Sequence, residues 1–284
     1  MHIRHMSAAA PTLFFVMLWS SGAILSEIGL RHGSPLALLI LRYVLALALL
    51  ALIALRRRTL LPAKGTRARV ALTGLAIAGL YSVCYLLALD QGLTPGALAT
   101  LLGIQPLLTL LITERQVSSA RFCGLIFALA GLALVVSDGV AAARFGPLGL
   151  LFAGLSLLGI TAGSILQKRE TQAPWEVLPL QYAVGLACAC LLIPFDPLHF
   201  SWDWGFIGPA LWLAAVISVG ATFLLYRLIA RGNLVNVTSL FYLVPGVTAM
   251  MDWAILGNPM SVTAMAGLAL VLVALLLVLR PARA

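Results

Sequence analysis

Charge is scarce in this chain, and acidic charge is scarcest. Of 284 residues only 10% are Asp, Glu, Lys or Arg, and Asp and Glu together number 9. A soluble globular domain carries about a quarter charged residues, so a water-soluble enzyme is excluded. Strand-type alternation is also missing, and Leu, Ala and Gly dominate, which excludes a membrane β-barrel. The longest polar stretch, Arg56 to Arg69, is too short to be a domain. All four cysteines (Cys84, Cys123, Cys188 and Cys190) fall inside apolar runs. They are expected as buried packing thiols, because Cys188 and Cys190, two apart, face different sides of a helix. The four histidines form no ligand cluster, so neither metal nor cofactor is expected. An intramembrane enzyme would need clustered carboxylates, histidines or a Ser/His pair, and the apolar runs carry none.

What is present is apolar length. Hydrophobic residues make up 62% of the chain, and a spanning helix takes roughly 20 of them. Ten runs qualify: Pro11–Leu30, Pro35–Leu55, Arg69–Leu89, Pro95–Ile112, Ala120–Ser137, Pro147–Gln167, Glu176–Ile193, Gly205–Tyr226, Leu234–Ile255 and Pro259–Leu279. No small-residue cleavage pattern follows the first, where the chain reads Leu25-Ser26-Glu27-Ile28, so it is expected as a retained helix. Assigning connections alternately to two sides collects 15 of the 18 Lys and Arg residues on one of them. Only Arg31 and Arg144 fall opposite, and Arg42 lies within a span. By the positive-inside rule both termini are cytoplasmic. The net charge of +9 is thus a topology signal, and no nucleic-acid patch is expected.

The runs also repeat. Pro35 falls on Pro174, 139 residues on, and at the same shift Tyr43 falls on Tyr182 and Pro106 on Pro245. The chain therefore divides into 1–145 and 146–284, five spans each, and an odd number threads the second half upside down. The connections agree. Arg56-Arg57-Arg58 follows the second span, whereas its counterpart, residues 195–203, carries two acids and no Lys or Arg. The expected fold is an all-α membrane protein of ten transmembrane helices in two inverted five-helix repeats. Inverted repeats are a signature of secondary transporters, whose substrate sites lie near the midplane between the halves.

Midplane residues are then the candidates. Pro106 and Pro245 both fall near half depth, where a proline releases the carbonyl four residues earlier and bends the helix; a paired hinge and a plain packing kink both remain open. Gln105 can donate to a carboxylate and accept from an ammonium, or else bond a neighbouring helix. Trp19, Tyr81, Tyr85, Phe241 and Tyr242 lie away from the helix ends, where Trp and Tyr usually gather; they line a pathway or pack the core. Trp175, Trp202, Trp204, Trp212 and Trp253 read as interfacial anchors. Arg42, about 10 Å deep, needs a partner. Glu27 is nearest in depth, so a structural Arg42–Glu27 ion pair is expected, with capture of a substrate carboxylate as the other reading. Thr100, Thr238 and Ser239 are expected to bond their own helix backbone. The small-residue strips Gly159/Gly163 and Gly124/Ala128/Gly131 are expected to pack helices closely.

Two five-span halves, Trp19-Ser20-Ser21 in the first span, the pair Arg42-Tyr43 and mid-helix prolines in spans four and nine resemble the EamA family of the drug/metabolite transporter superfamily. Within it the chain is similar to the YddG-type amino-acid exporters. The resemblance implies a central cavity lined by helices one, three, four, six, eight and nine. It also implies a bacterial inner-membrane protein that exports amino acids, aromatic and other neutral ones, by alternating access. One departure is that only eight residues separate Pro106 from Glu114, against ten apolar residues after Pro245. No acid is expected at the centre, which favours an uncoupled facilitator, with proton antiport at Glu27 or multidrug or metabolite efflux as the alternative. The expected partners are an amino acid and the bilayer; a monomer suffices, and a dimer stays open.

Overall fold

The computed structural model describes residues 3–57, 61–113, 119–141, 146–225 and 243–278, and among them there is no β-strand. Twelve α-helical pieces follow in order: α1 (Ile3–Leu30), α2 (Pro35–Arg57), α3 (Arg67–Gly74), α4 (Ser82–Asp90), α5 (Pro95–Leu102), α6 (Gln105–Thr113), α7 (Ser119–Ala141), α8 (Pro147–Gln167), α9 (Pro174–Leu192), α10 (Trp204–Trp212), α11 (Leu243–Met251) and α12 (Val262–Val278). Three segments of wider π-helical turn continue them without a break: π1 (Leu75–Tyr81) joins α3 to α4, π2 (Leu213–Ala221) extends α10, and π3 (Asp252–Leu256) extends α11. Five helices are long and apolar enough to cross a membrane: Pro35–Arg56, Lys64–Asp90, Pro147–Gln167, Pro174–Leu192 and Trp204–Leu225. Shorter apolar helices cover Phe14–Leu30, Ile126–Val135, Leu243–Leu256 and Val262–Ala274.

Proline sets where several helices begin. Pro35, Pro95, Pro147 and Pro174 each occupy the first helical position, where a missing N–H costs nothing and φ is already fixed. Thr94 completes one start by accepting from the Ala97 amide (3.3 Å), and Asp203 completes another by accepting from Phe206 (3.1 Å). The expected single run Pro95–Ile112 is instead two helices. At the break the Gly103 amide donates to Ala99 (2.8 Å) and the Ile104 amide to Leu101 (3.4 Å), and α6 restarts at Gln105. Pro106 has no N–H to give the Leu102 carbonyl, so the ladder must stop there.

Helices 139 residues apart lie against each other, α2 on α9 and α7 on α12, and α5 packs on α11. Cross-contacts come in matching sets as well. The first helix packs on α10 and π2, while α8 packs on α3, π1 and α4; α1 also packs on α11, and α8 on α5 and α6. At the α7–α12 crossing, a Cβ on Gly131 would stand 2.5 Å from the Gly267 carbonyl oxygen, and one on Gly267 would stand 2.6 Å from that of Gly131. Only glycine admits this approach. The main core gathers Tyr43, Leu38, Leu39, Leu86, Leu98, Tyr182 and Phe206. Large apolar side chains such as Leu55, Leu158, Leu191 and Trp253 point outward, as lipid requires.

The connections pair on two faces. On one, Ser34 donates to His199 and Ser201 to His32 (both 2.8 Å), and His32 Nδ1 meets Asp203 Oδ2 at 3.1 Å. On the other, Arg69 Nε donates to Glu170 Oε1 (2.6 Å) and Gln172 Nε2 to Thr66 Oγ1 (2.8 Å). Two thiols depart from expectation: Cys123 and Cys190 are exposed on the outer helix surface, while Cys84 is buried. In lipid an apolar thiol gains nothing by turning inward. Trp212 is likewise more than an interfacial anchor, since its Nε1 donates to Ser21 Oγ (3.0 Å).

Candidate functional site

The wide turns organise the centre of the molecule. A π-turn leaves carbonyls without their usual i+4 amide, and here side chains answer them. In π1, Tyr43 OH donates to the Ala78 carbonyl (2.7 Å) and Ser82 Oγ to Ile77 (2.9 Å). In π2, Tyr182 OH donates to the Ser218 carbonyl (2.6 Å) and Thr222 Oγ1 to Ile217 (3.1 Å). The two tyrosines stack on each other, ring centroids 5.3 Å apart and 25° between planes.

Arg42, the residue before Tyr43, is half-buried beside this stack, its Cζ 5.8 Å from the Tyr43 ring centroid. Its Nε donates to Ser218 Oγ at 2.8 Å. The expected ion pair with Glu27 is not formed. Glu27 Oε1 instead meets Arg31 Nε at 3.7 Å, one helical turn along α1. A neighbour on the same helix is reached without bending two backbones together, and it leaves Arg42 with no carboxylate among the described residues.

Tyr81 and Tyr85 stand on one face of the π1–α4 helix, centroids 5.7 Å apart. Both are half-buried. Gly159 lets α8 lie against this helix: a Cβ there would stand 2.7 Å from the Tyr81 nitrogen. The strip Gly159/Gly163 is thus a packing strip against π1.

Gln105 donates from Nε2 to Ser164 Oγ on α8 (3.2 Å) and to Thr109 Oγ1 (3.3 Å), so it bridges two helices. Trp19 contacts Phe15 (centroids 5.5 Å apart) and joins a cluster with Val244 and Val247 of α11. Pro245 is buried, and its Cγ would stand 3.0 Å from a Cβ on Gly103. The break between α5 and α6 therefore lies on the very turn that carries Pro245. Pro106 is the second residue of α6. Phe241 and Tyr242 lie outside the described residues, as do Thr238 and Ser239. Thr100 bonds its own helix, donating to Gly96 (2.8 Å).

Sequence reasoning missed two residues. Ser218 could not be singled out, because nothing in an apolar run announces a π-turn. Asp252 was not singled out, yet only 2% of it is exposed. Its Oδ2 accepts from the Gly96 amide and its Oδ1 from Asn258 Nδ2, both at 2.8 Å. An acid closing the apolar run 243–251 was the available signal. Ser20 and Thr248 add two buried hydroxyls without a partner among the described residues, on the packed helices α1 and α11.

Residues 7–137 match the EamA-like transporter family. The chain is also similar to the uncharacterized transporter YvbV of Bacillus subtilis (strain 168), 24% identical over an alignment of 275 residues that covers 93% of this chain and 89% of that protein. A solved crystal structure of a protein 20% identical shares the fold, with a TM-score of 0.63 over 96% of this chain and 97% of the other. Both sequence likenesses are to transporters, and the described residues hold five helices long and apolar enough to cross a membrane.

Proposed function

We propose that the chain is an EamA-like transporter, a ten-span protein of the bacterial inner membrane, with repeats 1–145 and 146–284 inverted and both termini cytoplasmic. It exports neutral amino acids, aromatic ones among them, by alternating access and without ion coupling. The packing of α2 on α9 and of α7 on α12, and the Tyr43–Tyr182 stack, support the inverted repeat. The two faces of paired connections support its threading, since each face joins loops that alternate assignment places on the same side.

One observation carries the substrate reading. Arg42, a half-buried cation, bonds Ser218 and no carboxylate among the described residues, while Glu27 is paired with Arg31 on its own helix. The carboxylate of a zwitterion supplies what the Arg42 Nη groups lack, and its ammonium joins Arg31 at Glu27. Tyr81 and Tyr85 offer an apolar wall for the side chain, and Trp19, Gln105, Phe241 and Tyr242 complete the proposed lining, with Pro106 and Pro245 as hinges. A monomer holds both halves of the site.

Counterflow tests this. Proteoliposomes loaded with unlabelled L-phenylalanine should accumulate the labelled form with no ion gradient; failure with every amino acid sinks the substrate reading. A proton-coupled reading for cationic drugs or other metabolites has its own support in the buried Asp252, which lies in electrostatic range of Glu27. Under that reading accumulation requires a pH gradient and disappears when it is collapsed.

A further inference from the structure

The strongest unassigned arrangement lies where Arg42 crosses from one half of the molecule to the other. We propose that Ser218 is a positioning residue for Arg42: its hydroxyl fixes the guanidinium so that the two Nη groups are presented as a fork for a substrate carboxylate. The inference rests on the reading of Arg42 just given.

A guanidinium has five N–H donors in a rigid plane. Nε donates to Ser218 Oγ at 2.8 Å, and the Nη groups donate to nothing among the described residues. Fixing Nε and leaning the plane on the Tyr43 ring removes rotation about the long side chain. That rotation is otherwise the entropy a ligand must remove to make a two-point contact.

Ser218 is itself held. It is wholly buried. Its carbonyl accepts from Tyr182 OH at 2.6 Å, and Thr222 ties down the preceding carbonyl. The wide turn thus has its backbone satisfied without using the Ser218 hydroxyl. In π1 the residue whose carbonyl takes the tyrosine is Ala78, so the turn itself needs no hydroxyl there. The hydroxyl occurs on the turn that faces the arginine and not on the other.

Two measurements test the proposal. The first is L-phenylalanine counterflow into proteoliposomes by the whole protein, read as KM and maximal rate, with 2-phenylethylamine, which has no carboxylate, as competitor. In Ser218→Ala, KM for phenylalanine should rise about tenfold, the size of one hydrogen bond to a charged group, with the maximal rate and the inhibition by phenylethylamine little changed. Adding Ser218→Ala to Arg42→Lys, which has no Nε donor to lose, should add nothing. Equal losses for both compounds, or additive effects in the double variant, overturn the proposal. The second needs no substrate: the Nε–Hε resonance of 15N-labelled Arg42, assigned by its absence in Arg42→Lys. It should be protected from solvent exchange in the unaltered protein and exchange at least tenfold faster in Ser218→Ala. An unchanged resonance overturns the positioning role. Absence of amino-acid exchange by the unaltered protein strikes the function alone.

Discussion

Arg42 and Gln181 occupy equivalent places in α2 and α9, and each precedes one of the stacked tyrosines, yet they do different things. Arg42 reaches across to Ser218 of the other half. The Gln181 side chain bonds within its own half, its Nε2 donating to Gln167 Oε1 of α8 (2.8 Å), while its backbone lies against the other half, where a Cβ on Gly74 would stand 2.6 Å from its Cα. Around them the scaffold is matched nearly atom for atom, with a tyrosine hydroxyl on a wide-turn carbonyl and a Ser or Thr hydroxyl on the preceding one in each half. The lesson is that the scaffold duplicates while the polar chemistry does not. A site for an asymmetric molecule needs such a difference, since two identical half-sites would present like groups to both of its ends.

Making the halves alike should therefore remove the site and spare the fold. Arg42→Gln installs the residue its counterpart already carries. Phenylalanine counterflow should fall at least about a hundredfold, the loss of a two-point charged contact, while the thermal unfolding temperature in detergent stays within a few degrees. A folded variant that still exchanges would break the comparison and return Arg42 to a structural role.

A smaller effect is expected where the α5 and α11 helices meet. Asp252 holds the Gly96 amide and the Asn258 amide group together, so Asp252→Ala leaves one buried and one half-buried donor unsatisfied. That should cost about 2–4 kcal/mol of stability. Asp252→Asn keeps an acceptor for Gly96 and should recover about half. Unfolding in a denaturant series measures both, and equal losses would show that charge rather than hydrogen bonding is what the position requires.

The sequence carried the scaffold better than the site, for identifiable reasons. Helix starts at Pro35, Pro95 and Pro147 were legible because proline is a local signal, whereas the run read from Glu176 begins two residues earlier, at Pro174. Apolar length marked the spans, and the shift of 139 residues brought Tyr43 onto Tyr182. The interruption at Gly103–Ile104 fell three residues before the proline that announced it. The wide turns at Leu75–Tyr81 and Leu213–Ala221 left no trace, because their hydrogen bonds are satisfied by tyrosines on other helices. Arg42 was singled out, but depth alone assigned it Glu27. Depth ignores Arg31, which competes for that carboxylate from one turn away.

The matched tyrosines give a sharper test of the scaffold. Tyr43→Phe and Tyr182→Phe each strip one hydroxyl from one wide-turn carbonyl and leave the ring stack intact. Each should destabilise by about 1–2 kcal/mol, and the two losses should agree within about 0.5 kcal/mol. Tyr182→Phe alone should also weaken phenylalanine counterflow, because only π2 holds the Arg42 partner. Equal transport by both variants would mean that the Arg42–Ser218 bond does not depend on the turn beneath it.

Gln105 offers the mildest comparison. Its counterpart at the same shift is Val244, which packs beside Trp19 in an apolar cluster, whereas Gln105 bridges to Ser164. Hydrogen bonds between membrane helices contribute only about 0.6 kcal/mol on average, so Gln105→Val should leave unfolding nearly unmoved. Transport separates the two uses of the amide. If it serves the substrate, counterflow falls about threefold to tenfold with the stability unchanged; if it serves only the bridge, both stay within error, and Ser164→Ala reproduces the same silence. A fall in transport with Gln105→Val but not with Ser164→Ala would put Gln105 at the substrate, in the half that also carries Arg42.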